Sequence, residues 1–319
     1  MNWSAISITF LDSITWDNLI NFKIILLSIV LEALPFVLLS VIVSAFLNNF
    51  VSDDLIRKII PKNRLLSTVP AAFLGIIFPV CDCGMVPIVR RLVMKGVPLH
   101  AAVSFMLAAP IINPVVATAT AFAFRTNINM VFFRLGTAFS VACIAGLLTS
   151  LFFKGNELKA DTHNHGHGCG CSDHHDDMNE SFSRNLSFSD KLLRTIYDAS
   201  NEFFEMGKYL GAMMGALAQI LIPRALLLSV GQHSTLSVGV MMLFAFIISV
   251  CSAADAFISA SFITSFSPGS LVAFMVFGPM IDLKNILMLQ HSFRFRFVLW
   301  LAVIVFSLTA GAAYLINHL

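Results

Sequence analysis

The chain has 319 residues, of which 57% are hydrophobic and only 12% charged, with a formal net charge of +2 and a mean hydropathy of +0.84. Soluble domains average about 45–50% apolar and about 25% charged residues, so the composition excludes a water-soluble globule. The small net charge, with no basic stripe, also argues against a nucleic-acid partner. The solvent for most of this chain is a lipid bilayer.

In chain order, residues 1–16 carry no Lys or Arg and no small-residue cleavage site, so they do not read as a signal peptide. Apolar runs then fall at about 22–47, 66–89, 99–123 and 131–153, and again at about 206–230, 236–265, 271–290 and 297–316. Each is near or above the roughly 18–20 residues that a spanning helix needs. Alternating ten-residue strands are absent, which argues against a barrel. The expectation is an all-α, polytopic protein with about eight membrane segments. A first membrane repeat would occupy 1–153, a polar linker 154–203 and a second membrane repeat 204–319. The linker holds fourteen Asp, Glu, Lys and Arg residues and ends in an amphipathic stretch from Leu186 to Phe204, read as an interfacial helix.

The two halves repeat. Residues 102–113 align without a gap on 271–282, superposing Phe105 on Phe274, Met106 on Met275, Pro110 on Pro279 and Asn113 on Asp282. At nearly the same offset, Pro79–Gly84 falls on Ser249–Ala254. Each half is thus expected to have a broken second segment and a proline-interrupted third one. Paired interruptions point to a transporter binding site, because unwound backbone at membrane depth is tolerated only where it lines a cavity or is buried in protein. Arg57, Lys58, Lys62 and Arg64 precede the second segment, and Arg90, Arg91 and Lys95 follow it. Since cytoplasmic loops are enriched in Lys and Arg, both flanks read as cytoplasmic. The second segment is then a re-entrant hairpin, the linker is cytoplasmic, and the repeats are inverted. Eight full crossings with parallel halves is the competing topology.

Candidate site residues lie at these interruptions. Cys81, Asp82 and Cys83 precede Gly84 and Pro87, a pattern that suggests an unwound stretch turning two sulfurs toward one point. Thiolates select Zn, Cu(I) and other thiophilic species, and Asp82 adds an oxygen ligand or a proton acceptor. Cys251 and Asp255 share a helical face if their segment is helical. Glu32, Asp255 and Asp282 are intramembrane acids and so default candidates for substrate binding or proton relay, with Lys284 a counter-charge. Pro110, Asn113 and Pro279 mark the repeat-related interruption. In the linker, His163, His165, His167, Cys169, Cys171, His174 and His175 form a metal-binding composition without the fixed pairing of a zinc finger. The sequence has no nucleotide-binding G-x-x-x-x-G-K-[ST] loop, no H-E-x-x-H and no G-x-S-x-G. A transporter driven by an ion gradient or by a partner is therefore expected, not an enzyme.

The stretches Pro79-Val-Cys-Asp-Cys-Gly-Met-Val-Pro87, Arg90-Arg91, Lys95-Gly-Val-Pro98 and Ala109-Pro-Ile-Ile-Asn-Pro114 resemble a bacterial family of predicted permeases that includes the organoarsenical efflux permeases. The resemblance implies a multi-pass plasma-membrane permease and site positions Cys81, Cys83, Gly84, Pro87, Pro110 and Asn113. Members often have Ser where this chain has Asp82. That departure, with the His-rich linker, favours a divalent cation such as zinc as substrate over a trivalent arsenical. No resident cofactor is expected. An accessory membrane or metal-delivery protein is a candidate partner, and a membrane thiol-disulfide electron carrier is the alternative of another class.

Overall fold

Helical segments that must bury broken backbone need long neighbours to hold them, and the chain supplies both kinds. The computed structural model describes residues 64–77, 82–125, 127–153 and 234–318. Expectations for Glu32, Cys81, the first and fifth segments and the whole linker fall outside the described residues. The described residues form ten helices and contain no β-strand: α1 (Arg64–Ile77), α2 (Asp82–Met94), α3 (Leu99–Ala108), α4 (Pro114–Ala123), α5 (Asn129–Phe152), α6 (Ser234–Ile248), α7 (Ser252–Ala260), α8 (Pro268–Met280), α9 (Leu283–Ser292) and α10 (Phe295–His318).

Three of the four expected interruptions lie among the described residues. The second segment carries α1 and α2, with the expected break at 78–81 outside the described residues, and its counterpart divides into α6 and α7 around residues 249–251. The third divides into α3 and α4 around Pro110, and its counterpart into α8 and α9 beside Pro279. The five helices of each half fall at matching positions; a shift of 169 carries 114–123 onto 283–292, the ranges of α4 and α9. One expectation is corrected. Gly84 and Pro87 do not lie in an unwound stretch; both are inside α2, which begins at Asp82. A proline six residues into a helix removes one backbone hydrogen bond, a loss the flanking turns sustain.

Among the described residues, three stretches are long and apolar enough to cross a membrane: α5, the α8–α9 pair and α10. The α8–α9 pair is mostly buried, whereas α5 and α10 present Phe132, Leu151, Phe152, Leu299, Val303 and Leu315 outward. Apolar side chains outside and Asp, Arg and Asn inside invert the distribution of a soluble protein, as lipid solvent requires.

Within each half, α3 packs between α1 and α5, and α8 packs between α6 and α10. Small residues allow the approach. A Cβ added at Gly75 of α1 would lie 2.6 Å from Ala109 Cα. One added at Gly146 of α5 would lie 2.9 Å from both the His100 carbonyl oxygen and Thr68 Cγ2. Across the halves the short helices exchange partners, with α4 against α7 and α9 against α2. Gly75→Ala is therefore expected to destabilise the fold by about 1–3 kcal/mol through overpacking. Gly136→Ala, where a Cβ meets nothing within 4 Å, should change stability by less than about 1 kcal/mol. Thermal unfolding of the two variants in detergent distinguishes them.

Candidate functional site

Four short helices occupy corresponding places in the two halves, and a polar residue stands at the start of each. Asn113 caps α4, its Oδ1 accepting from the Val116 N–H at 2.8 Å. Its repeat counterpart Asp282 caps α9, accepting from the Asn285 N–H at 2.6 Å. Cys251 caps α7, with Sγ accepting from the Ala254 N–H at 3.4 Å. Asp82 is the first residue of α2. Uncapped helix N-termini expose unpaired N–H groups and partial positive charge, so acceptors and carboxylates are the groups that settle there in a low-dielectric interior. Ser249, just before Cys251, has a φ of 50°. A left-handed residue that is not glycine marks strain where α6 gives way to α7.

At the crossing of α2 and α9, Lys284 Nζ lies 3.0 Å from Asp82 Oδ2 and 3.5 Å from Asp282 Oδ2. Asp82 and Asp282 are 2% and 0% exposed, so one ammonium bridges two buried carboxylates that the sequence separates by 200 positions. The arrangement leaves acceptors over. Neither oxygen of Asp82 accepts a hydrogen bond, nor do Asp282 Oδ2 and Asn285 Oδ1. The Asn285 Nδ2 donates weakly to the Pro279 carbonyl at 3.5 Å. Asp82, Asn285, Pro110, Pro279 and the thioethers' owners Met85, Met106 and Met280 line a narrow crevice.

The other crossing, of α4 and α7, is held by Arg134 from α5. Its Nη1 donates to Thr120 Oγ1 at 2.8 Å and its Nη2 to the Ser252 carbonyl at 2.6 Å. Arg134 is fully buried and within electrostatic range of Asp255 and Cys251. Asp255, 2% exposed, is in turn within range of Asp82, Asp282 and Lys284. The two crossings therefore share one field, with three carboxylates against two cations.

Sequence reasoning singled out Asp82, Asp255, Asp282 and Lys284, and the structure brings these together. It places Asn113 and Pro110 beside them as helix cap and crevice wall. Gly84 is buried in the first turn of α2, and nothing is described of the Cys83 side chain. Among the described residues, no group of three His, Cys, Asp or Glu side chains stands ready to hold a metal ion. Arg134 was missed. Its signal was present all the same, an arginine four residues into the apolar run 131–153, where an unpaired charge is expensive.

A family profile described as a predicted permease, ArsP_1, matches residues 18–318. The chain is 43% identical over 299 residues to UPF0718 protein YcgR of Bacillus subtilis (strain 168), covering 93% of this chain and 97% of that protein. It is 37% identical over 295 residues, 90% of this chain and 94% of the other, to a Streptococcus mutans protein provisionally named a two-component membrane permease complex subunit. No solved structure matches. Membrane-crossing helices, interruptions at membrane depth and charges buried around them are the features of a multi-pass bacterial membrane permease, and the chain belongs to the ArsP_1 family of predicted permeases.

Proposed function

We propose that the protein is a secondary permease of the plasma membrane that carries a thiophilic metal or metalloid ion, zinc(II) foremost, through the crossings of its broken helices. The observation that carries this reading is the buried Asp82–Lys284–Asp282 bridge. Ionised groups inside a membrane are costly to hold and mark ion pathways. These sit where both repeats interrupt their helices, the arrangement expected of a transporter binding site. In this reading Cys81 and Cys83, the sequence neighbours of Asp82, and Cys251 are the soft donors, and Asp255 and Asp282 couple movement to protons. The linker's His163, His165, His167, Cys169, Cys171, His174 and His175 collect or sense the ion. An accessory subunit fits this scheme, because a relative is named as part of a two-component complex.

Several contacts support an inverted arrangement of the repeats. Ser67 of α1 meets His100 of α3 at 2.8 Å, and the equivalent ends of α6 and α8 meet through Ser237 and Ser270 at 2.7 Å. The end of α5 meets the start of α10: Phe152 and Phe153 lie 5.5 and 4.9 Å from the Trp300 ring. Two spanning helices joined end to start at one face cross in opposite directions. Helices α5 and α10 occupy corresponding places in the two halves, which supports the reading of repeats related by inversion. The exposed Arg294 and Arg296 share that face with the start of the linker and mark it as cytoplasmic. Single cysteines introduced at Ser267 and at Arg294 should be labelled by an impermeant maleimide from outside and from inside respectively. Labelling of both from one side would remove the inverted topology.

Efflux of a trivalent arsenical is the second reading, favoured by the Cys-Asp-Cys sequence at 81–83. It needs the thiols but not the linker. Proteoliposomes carrying wild type, Cys81→Ser or a deletion of 161–177 should be tested with Zn²⁺ and a trivalent arsenical in parallel. Zinc transport that falls about tenfold or more in Cys81→Ser and changes in the deletion supports the zinc reading. Arsenical movement indifferent to the deletion supports the second. If neither species moves, the permease reading for these ions is lost.

A further inference from the structure

The Asp82–Lys284–Asp282 bridge is built asymmetrically. Both carboxylate side chains are at most 1% exposed, while that of Lys284 is 12% exposed, so the ammonium stands nearer the surface than the anions it bridges, and Asp82 with Asn285 lines the crevice. The oxygens around it are a surplus of acceptors: both of Asp82, Oδ2 of Asp282 and Oδ1 of Asn285 take no hydrogen bond. Buried acceptors without donors are costly. A single ammonium with three protons, reaching one carboxylate at 3.0 Å and the other at 3.5 Å, satisfies this set only in part. Apart from Asp282 Oδ1, which the Asn285 N–H satisfies, these oxygens face a single ammonium, and such a surplus of acceptors is a receptor for a cation.

The charge of that cation follows from the pair. Two carboxylates carry two negative charges, and Lys284 offsets one. Moving the ammonium outward leaves a doubly negative oxygen cage, which a divalent cation neutralises and a monovalent one does not. The Asp255 carboxylate does not alter this count, because Arg134, within electrostatic range of it, carries the opposite charge.

We propose that Lys284 is a tethered surrogate for the substrate cation: a divalent ion binds between Asp82 and Asp282, with the Asn285 amide oxygen as a further ligand, by displacing the Lys284 ammonium outward. The inference rests on the permease reading and adds to it the substrate's charge, the oxygen ligands and a built-in competitor. The surrogate keeps the carboxylates apart from one another and from bulk cations while the site is waiting. Because the ammonium leaves with its proton, displacement requires no change of protonation. The three methionines of the crevice, Met85, Met106 and Met280, bias the site toward a polarisable ion such as zinc over magnesium.

Zinc binding to the full-length protein in nanodiscs tests this, with melting temperature as the check of folding and the linker sites as an internal reference. Asp82→Asn should lose one zinc equivalent. Lys284→Gln should retain it and bind about tenfold tighter, the equivalent of removing one competing ion pair. Lys284→Arg keeps the charge but clamps carboxylates through a planar fork, and should weaken the same equivalent. Should Lys284→Gln fail to fold, Lys284→Arg decides alone. Retention of every equivalent in Asp82→Asn, or an affinity indifferent to both Lys284 variants, overturns the displacement. Zinc transport by wild-type proteoliposomes together with that indifference would sink the surrogate and spare the permease. Zinc bound with the expected pattern but never moved would do the reverse.

Discussion

Burying charge in lipid is the constraint around which this molecule is arranged. A carboxylate or guanidinium at membrane depth is tolerated only beside a partner or a helix end, and the fold supplies both at the same places. Short helices that start inside the protein place their N-termini there. Asn113, Cys251 and Asp282 cap three of them by accepting from exposed N–H groups, and Asp82 brings its carboxylate to the positive end of a fourth. Lys284 and Arg134 then offset what remains of the negative charge.

The short helices could not hold these positions alone, since helices of ten residues are marginal without tertiary support. Their support comes from the close packing of α1, α3 and α5 and of α6, α8 and α10. Gly75 and Gly146 bring backbones together there, giving the dispersion contact that replaces the hydrophobic effect between helices in lipid. The half-helices α2, α4, α7 and α9 lie against this frame and cross to the opposite half. Each crossing consequently takes one wall from each repeat.

The scaffold repeats, whereas the chemistry does not. A shift of 169 pairs Lys284 with Val115 and Arg134 with Val303, and the shift of 170 that aligns Pro79–Gly84 on Ser249–Ala254 pairs Asp82 with Ser252 and Asp255 with Met85. One crossing has an ammonium at its rim between two carboxylates with oxygens to spare. The other has a fully buried guanidinium with two fixed partners. A bridge with surplus acceptors and an exposed edge suits exchange of its cation. A clamp built from a planar, five-donor group suits permanence. The two crossings occupy corresponding places in the two halves, but only one has acceptors to spare.

Much of this was legible in the residues. Composition established the lipid environment, run lengths located the segments, and the match of 102–113 to 271–282 established the repeat with its paired interruptions. Asp82, Asp255 and Asp282 stood out because acids inside apolar runs are costly and so default candidates for a functional or paired role. Local spacing could also place Asn113 and Asp282 as caps, since a cap is a contact three residues long. It misjudged Gly84 and Pro87, which a helix near its start accommodates, and it passed over Arg134, whose cost depends on what faces it. The sequence by itself determined that charge would be buried at helix interruptions, because periodicity and composition are properties of short windows. Only the tertiary structure decided which charges meet, because Asp82 with Lys284 and Arg134 with Ser252 are joined by crossings between halves, and no local pattern encodes a partner more than a hundred residues away.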